Sequence, residues 1–122
     1  MKFTKSVEDY LEAIHLINKE KGRVKVNDIA ANLDVKLPSV TQMIRKLSDK
    51  GLVSYRSYGP IELTKRGGGI AKNVYAKHQL LVEFFISIGV DRKNALKDAC
   101  LAEHILSKKT MDKLKVFVKS KE

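Results

Sequence analysis

The chain has a single cysteine, Cys100, in 122 residues, so no intrachain disulfide can form. With no signal peptide at its start, a reducing cytoplasm is the expected address. Two prolines and seven glycines exclude collagen-like and low-complexity character. Long apolar runs are missing too. The longest, Phe84–Val90, is seven residues broken by Ser87 and Gly89, too short to cross a bilayer. No internal repeat is present. Acidic residues are the minority, 14 against 24 Lys and Arg, which leaves a formal net charge of +10 and a pI near 9.7. So large an excess in so short a chain points to a polyanion, either nucleic acid or an anionic membrane surface.

Apolar residues are plentiful, at 43% by count, enough for a core and too many for wholesale disorder. The length suits one compact domain, or a small domain with a helical extension. The charge is uneven. Between Lys36 and Lys77 stand nine bases and two acids, net +7, whereas from Leu80 onward nine bases face six acids.

Helical spacing of Val7, Tyr10, Leu11, Ile14 and Ile17 predicts a first helix, with Ser6 as its N-cap and Asp9 completing a capping box. After Gly22, an extended piece at Arg23–Val26 leads to a short helix capped by Asn27 that buries Ile29, Ala30 and Leu33. Asp34–Leu37 is a tight connection. Pro38 then opens a third helix, which runs to about Lys50 and is stopped by Gly51. Val40, Ile44 and Leu47 form its apolar stripe, with Met43 beside them. The opposite side carries Pro38, Gln42 and Arg45, flanked by Ser39, Thr41 and Lys46, with Lys36 just ahead. Amides, hydroxyls and cations on one helix face are what base-edge and phosphate contacts require.

Val53 and Tyr55, then Ile61 and Leu63, alternate with polar residues, which predicts a two-stranded hairpin with Arg56 and Tyr58 near its tip. Helix, short helix, tight turn, polar-faced helix and hairpin follow in the order of a winged helix-turn-helix. Thr64 caps a fourth helix. Its start, Gly67-Gly68-Gly69, is unfavourable by roughly 1 kcal/mol per glycine relative to alanine. Either a frayed first turn or close backbone packing would account for it. Asp91 caps a fifth helix, Arg92–Lys108, and a last piece follows at Thr110–Lys121. Three helices beyond the wing exceed what a lone DNA-binding head needs and suggest a dimerisation region. The fold class is therefore mostly α, with a winged helix-turn-helix over 1–66 and a helical metal-binding and dimerisation domain over 67–122.

The fifth helix brings Cys100, Glu103 and His104 into i, i+3 and i, i+4 relation, a spacing that lets one helix side share a metal ion. The first helix offers Asp9 and Glu12, and the fourth offers His78. Mixed oxygen, nitrogen and sulfur donors suit a first-row divalent ion better than Ca²⁺ or Mg²⁺. Taken singly, each has a plainer role. Asp9 can complement the helix dipole, Glu12 can be a solvated acid, His78 a core histidine and Cys100 a small buried hydrophobe.

The segments Ser6–Glu12, Val26–Ala30, Pro38–Met43, Leu63–Gly67, His78–Leu81 and Glu103-His104, in that order along nearly the whole chain, resemble the metal-dependent repressors of the diphtheria toxin repressor and manganese transport regulator family. The resemblance implies a homodimeric cytoplasmic repressor of metal-uptake genes. It would bind a palindromic double-stranded DNA operator when loaded with Mn²⁺ or Fe²⁺, with Zn²⁺, Co²⁺ and Ni²⁺ as further candidates. It also implies that Asp9, Glu12, His78, Glu103 and His104 are ligands of the manganese type, and that Pro38, Ser39, Thr41 and Gln42 read DNA. Cys100 stands where manganese-type members have Glu and iron-type members have Cys, while Asp9 stands where iron-type members have Met. Val82 replaces a second acid common in the family, and the SH3-like domain of longer members is expected to be absent. Three rivals remain. One is a winged-helix regulator without metal input. The others are a hydrolytic metalloenzyme, which the six ligands do not favour because no open coordination position is evident, and a membrane-surface module.

Overall fold

The structure is a computed structural model that describes residues 3–55 and 59–121. Six helices and one two-stranded sheet follow in the order α1 Lys5–Lys21, α2 Val26–Leu33, α3 Leu37–Asp49, β1 Val53–Tyr55, β2 Ile61–Leu63, α4 Lys65–Ser87, α5 Arg92–Ala102 and α6 Lys108–Ser120. They form two compact units, Met1–Lys72 and Asn73–Glu122, and the division falls inside α4. No helix among the described residues is long and apolar enough to cross a membrane.

In the first unit, α1 buries the expected stripe of Val7, Tyr10, Leu11, Ile14 and Ile17. Its cap is Thr4 rather than Ser6. The Thr4 hydroxyl accepts the Val7 N–H at 3.2 Å, so the helix starts earlier and Ser6 lies within its first turn. The short helix is likewise capped two residues early. Lys25 is the N-cap of α2, and its backbone N–H donates to the Asp28 carboxylate at 2.9 Å, so Asn27 falls inside the helix. Asp34 takes the left-handed conformation (φ 54°), one of the few non-glycine types that tolerate it, and turns the chain sharply from α2 into α3. Lys36 caps α3, and Pro38 sits in the first turn, where a missing N–H costs nothing.

The wing pairs antiparallel in the register Val53↔Leu63, Ser54↔Glu62 and Tyr55↔Ile61. The expected extended piece after Gly22 touches it at one point, where the Ile61 N–H donates to the Val24 carbonyl at 2.9 Å. Ile29, Val40, Ile44, Leu47, Leu52 and Ile61, all essentially inaccessible, pack with α1 into one apolar core.

In the second unit, Leu81 and Val82 of α4 pack with Ala95 and Ala99 of α5 and Met111 of α6. Asp91 caps α5 as expected, accepting the Asn94 N–H at 3.1 Å. The helix does not reach Lys108, however. It ends at Ala102, residues 103–106 form a turn, and Ser107 caps a separate helix by accepting the Thr110 N–H at 3.1 Å. Ser107 had the chemistry of an N-cap but lay in a run otherwise compatible with helix.

Candidate functional site

The exposed side of α3 forms the first site. Val40, Ile44 and Leu47 anchor one face in the core. A helix held on that side must present Pro38, Ser39, Gln42, Arg45 and Lys46 outward, and all of these are exposed, as is Lys36. Thr41 is half-buried, with its hydroxyl donating to the Leu37 carbonyl one turn earlier at 3.2 Å. Arg56 and Tyr58, expected at the wing tip, lie outside the described residues.

Beside the C-terminal half of α3 opens a cleft of about 660 Å³. Its lining includes Arg23, Lys25, Asn27, Arg45, Asp49 and Tyr55. Arg23 and Lys25 were absent from the sequence-derived set because they precede the Lys36–Lys77 basic stretch. The backbone bond between Val24 and Ile61 and the burial of Val24 in the core beside Ile61 bring their segment alongside the wing. The signal available was the pair of cations flanking an apolar residue, Arg23-Val24-Lys25.

The second site lies in the second unit, where α4, the end of α5 and the following turn meet. Glu103 is 3% exposed and His104 8%, the two buried polar side chains among the described residues. His78 Nδ1 lies 3.3 Å from Glu103 Oε2, and His104 Nε2 lies 3.4 Å from Glu103 Oε1. The Cys100 thiol is exposed and sits 3.9 Å from His78 Nδ1. The end of α5 at Ala102 creates this cluster. Cys100 is in the last turn, while Glu103 and His104 are carried inward by the chain that leaves it. Cys100 is therefore not the buried hydrophobe of its plainer reading.

Burial pushes the His78 imidazole below its usual value, so it is mostly neutral at pH 7 and has a nitrogen lone pair to offer. A buried carboxylate flanked by two imidazoles and a thiol is a donor set that fits a borderline divalent cation. Val82 belongs to the apolar core and Glu83 is exposed, so the family's second acid has no counterpart at position 82. Asp9 and Glu12 lie on α1 in the first unit, three residues apart and both half-buried. Asp9 also accepts from Lys5 Nζ at 2.6 Å.

Two family models cover almost the entire chain. One, described as the iron dependent repressor N-terminal DNA binding domain, matches residues 2–61, and the other, described as the iron dependent repressor metal binding and dimerisation domain, matches residues 64–122. An HTH-type transcriptional regulator of Methanocaldococcus jannaschii is 39% identical over 117 residues, 94% of each chain. The HTH-type transcriptional regulator MntR of Bacillus subtilis is 39% identical over 111 residues, 91% of this chain and 78% of the relative. Among solved structures, a manganese-dependent transcriptional repressor in complex with manganese superposes with a TM-score of 0.85 at 25% identity, over 93% of this chain and 52% of that one. IdeR of T. acidophilum gives 0.77 at 27% identity, over 93% and 53%. The chain thus spans about half the length of these two solved relatives. With a winged helix-turn-helix followed by a helical unit holding clustered metal-type donors, and with both domain models matched end to end, the chain belongs to the iron-dependent repressor family of metal-dependent, DNA-binding transcriptional regulators.

Proposed function

We propose that this chain is a homodimeric cytoplasmic repressor of metal-homeostasis genes that binds a palindromic operator when a divalent ion, Mn²⁺ or Fe²⁺, is held by Asp9, Glu12, His78, Cys100, Glu103 and His104. The observation that carries the reading is the buried Glu103 carboxylate, with imidazole nitrogens of His78 and His104 at 3.3 and 3.4 Å. A carboxylate this deeply buried is costly unless positive charge reaches it. When bound, a divalent cation supplies that charge and fixed ligand distances. Cys100 favours softer or later metals, so Fe²⁺, Co²⁺ or Zn²⁺ competes well with Mn²⁺ at this set.

The residues themselves perform the rest. Asp9 and Glu12 belong to the helix that enters the reading unit, and the other four belong to the second unit. Joining both groups at one ion restrains the two reading heads of a dimer. Half-sites on B-DNA lie roughly 34 Å apart, so a dimer whose heads are already ordered loses less entropy on binding. A coupling of about 1–3 kcal/mol corresponds to roughly 5- to 150-fold in DNA affinity. On the reading face, Gln42 matches the bidentate pattern of adenine. Arg45 pairs with guanine or phosphate, and Lys36, Ser39, Lys46 and the cleft cations Arg23 and Lys25 neutralise backbone phosphates. Pro38 and Thr41 shape the start of that helix, and Arg56 and Tyr58 are assigned to wing contacts.

The test is DNA binding across a series of divalent ions, using a duplex recovered by the protein from a random-sequence pool in Mn²⁺. Fe²⁺, Mn²⁺ or Co²⁺ is expected to raise affinity for that duplex, and His104→Ala to remove the response while keeping the helical signal. Equal binding with metal and with chelator contradicts the reading and leaves a winged-helix regulator without metal input.

A further inference from the structure

The recognition helix ends in a corner that the start of α4 closes. Carbonyls at a helix C-terminus lack intrahelical partners. Here the carbonyl of the C-cap Lys50 and those of the two residues that follow it are taken by the residues that open α4. Arg66 Nη1 donates to the Lys50 carbonyl at 3.2 Å, the Thr64 hydroxyl to that of Gly51 at 2.7 Å, and the Thr64 N–H to that of Leu52 at 3.1 Å. The same hydroxyl oxygen accepts the Gly67 N–H at 3.1 Å, so one side chain caps α4 and holds the exit of α3.

Gly67 completes the corner by what it lacks. A Cβ there would lie 1.9 Å from the Leu52 carbonyl oxygen, whereas at Gly68 and Gly69 it would meet nothing within 4 Å. Of the three adjacent glycines, then, Gly67 alone is required by a contact. The carbonyl has no room to withdraw, since the Leu52 side chain is fully buried and β1 begins at the next residue. From this corner α4 continues without a break to Ser87 and carries His78 fourteen residues beyond Thr64.

We propose that Thr64 and Gly67 are positioning residues for DNA reading: they fix the recognition helix against the first turn of the helix that bears His78, and the metal response of DNA affinity depends on that corner. The proposal rests on the metal-dependent DNA-binding reading above. Gly67 is buried, the Thr64 hydroxyl is engaged by the Gly51 carbonyl and the Gly67 N–H, and neither residue is among the proposed DNA contacts or metal ligands.

Thr64→Val keeps the shape and removes the hydroxyl, while Thr64→Ser keeps the hydroxyl. Full-length proteins are compared by calorimetric Mn²⁺ titration and by fluorescence anisotropy on the pool-selected duplex, in Mn²⁺ and in chelator. Thr64→Val is expected to bind Mn²⁺ within twofold of the wild type yet lose at least tenfold in affinity for the duplex in Mn²⁺ and less than threefold in chelator, so that its metal response falls, with Thr64→Ser recovering to within threefold. Should Thr64→Val not fold, Thr64→Ala takes the same test, because it also removes the hydroxyl and adds no bulk to the corner. Duplex binding within twofold of wild type, parallel loss of Mn²⁺ and DNA binding, or no recovery in Thr64→Ser overturns the proposal. If the wild type itself binds the duplex equally with and without metal, the metal-dependent reading fails. The clamp is then judged by the Thr64→Val loss in chelator alone, with the same tenfold threshold.

Discussion

The two units answer the demand for burial in opposite ways. In the first, the core around Leu11, Ile14, Ile29, Ile44 and Leu47 is wholly apolar, and the polar side chains of α3 stay outside it. In the second, a smaller core of Leu81, Val82, Ala95, Ala99 and Met111 lies beside a buried carboxylate and a buried imidazole. That unit also leaves Ile86, Ile88, Leu101, Ile105, Val116 and Phe117 exposed, against Val35 and Leu37 in the first. A closed apolar core needs nothing further. A unit with charge inside and apolar side chains outside is suited to a cation and to a partner surface. The comparison teaches that the reading head is a finished scaffold, whereas the second unit is built to be completed.

Four substitutions sharpen that contrast or break it. Leu47→Ala removes a fully buried side chain from the finished core and is expected to cost about 2–5 kcal/mol. Thermal unfolding of the full chain should show the fall whether or not metal is present. Glu103→Gln should do the reverse. In chelator its melting temperature equals or exceeds that of the wild type, because a neutral amide of the same shape replaces a buried carboxyl group, while the rise on adding Mn²⁺ disappears and with it about 1–3 kcal/mol of DNA coupling. A metal-induced rise that survives in Glu103→Gln would break the comparison.

Gln42→Ala, on the exposed reading face, should cost about 1–3 kcal/mol of discrimination between the selected duplex and random DNA, with no change in melting temperature. Unaltered discrimination removes Gln42 from the readout.

The smallest effect concerns Asp28, whose carboxyl is held below its usual value first by the Lys25 backbone N–H and then by Lys21. A depressed carboxylate value means the stabilisation is complete above the ordinary value of 3.8 and fades as pH falls through the lowered one. Asp28→Asn should therefore lower stability by no more than about 1 kcal/mol at pH 7 and not at all in strong acid. An undiminished difference in acid would contradict the charge-assisted bond.

Much of the reading head was legible because its signals are local. Val40, Ile44 and Leu47 mark the buried stripe of α3 by spacing alone, and the alternation around Val53 and Ile61 gives the wing. Helix starts were less legible: Ser6 and Asn27 have the side chains of N-caps, yet the hydrogen bonds place the caps at Thr4 and Lys25. The break after Ala102 was missed because no glycine or proline marks it, and only Ser107 signals the restart. Close backbone packing was one of two explanations for the glycine run, and the structure bears it out at Gly67 alone; which glycine is crowded depends on a carbonyl fifteen residues away in the chain. Arg23 and Lys25 escaped for the same reason, since tertiary placement rather than composition puts them beside Arg45.

The central claim is that one ion draws ligands from both units. Calorimetric titration of Mn²⁺ into the full-length wild type and into Glu12→Ala tests it most directly. A loss of at least about tenfold in Mn²⁺ affinity in Glu12→Ala is the predicted result, whereas affinity equal to the wild type would show that the second unit holds the ion by itself and would contradict the account.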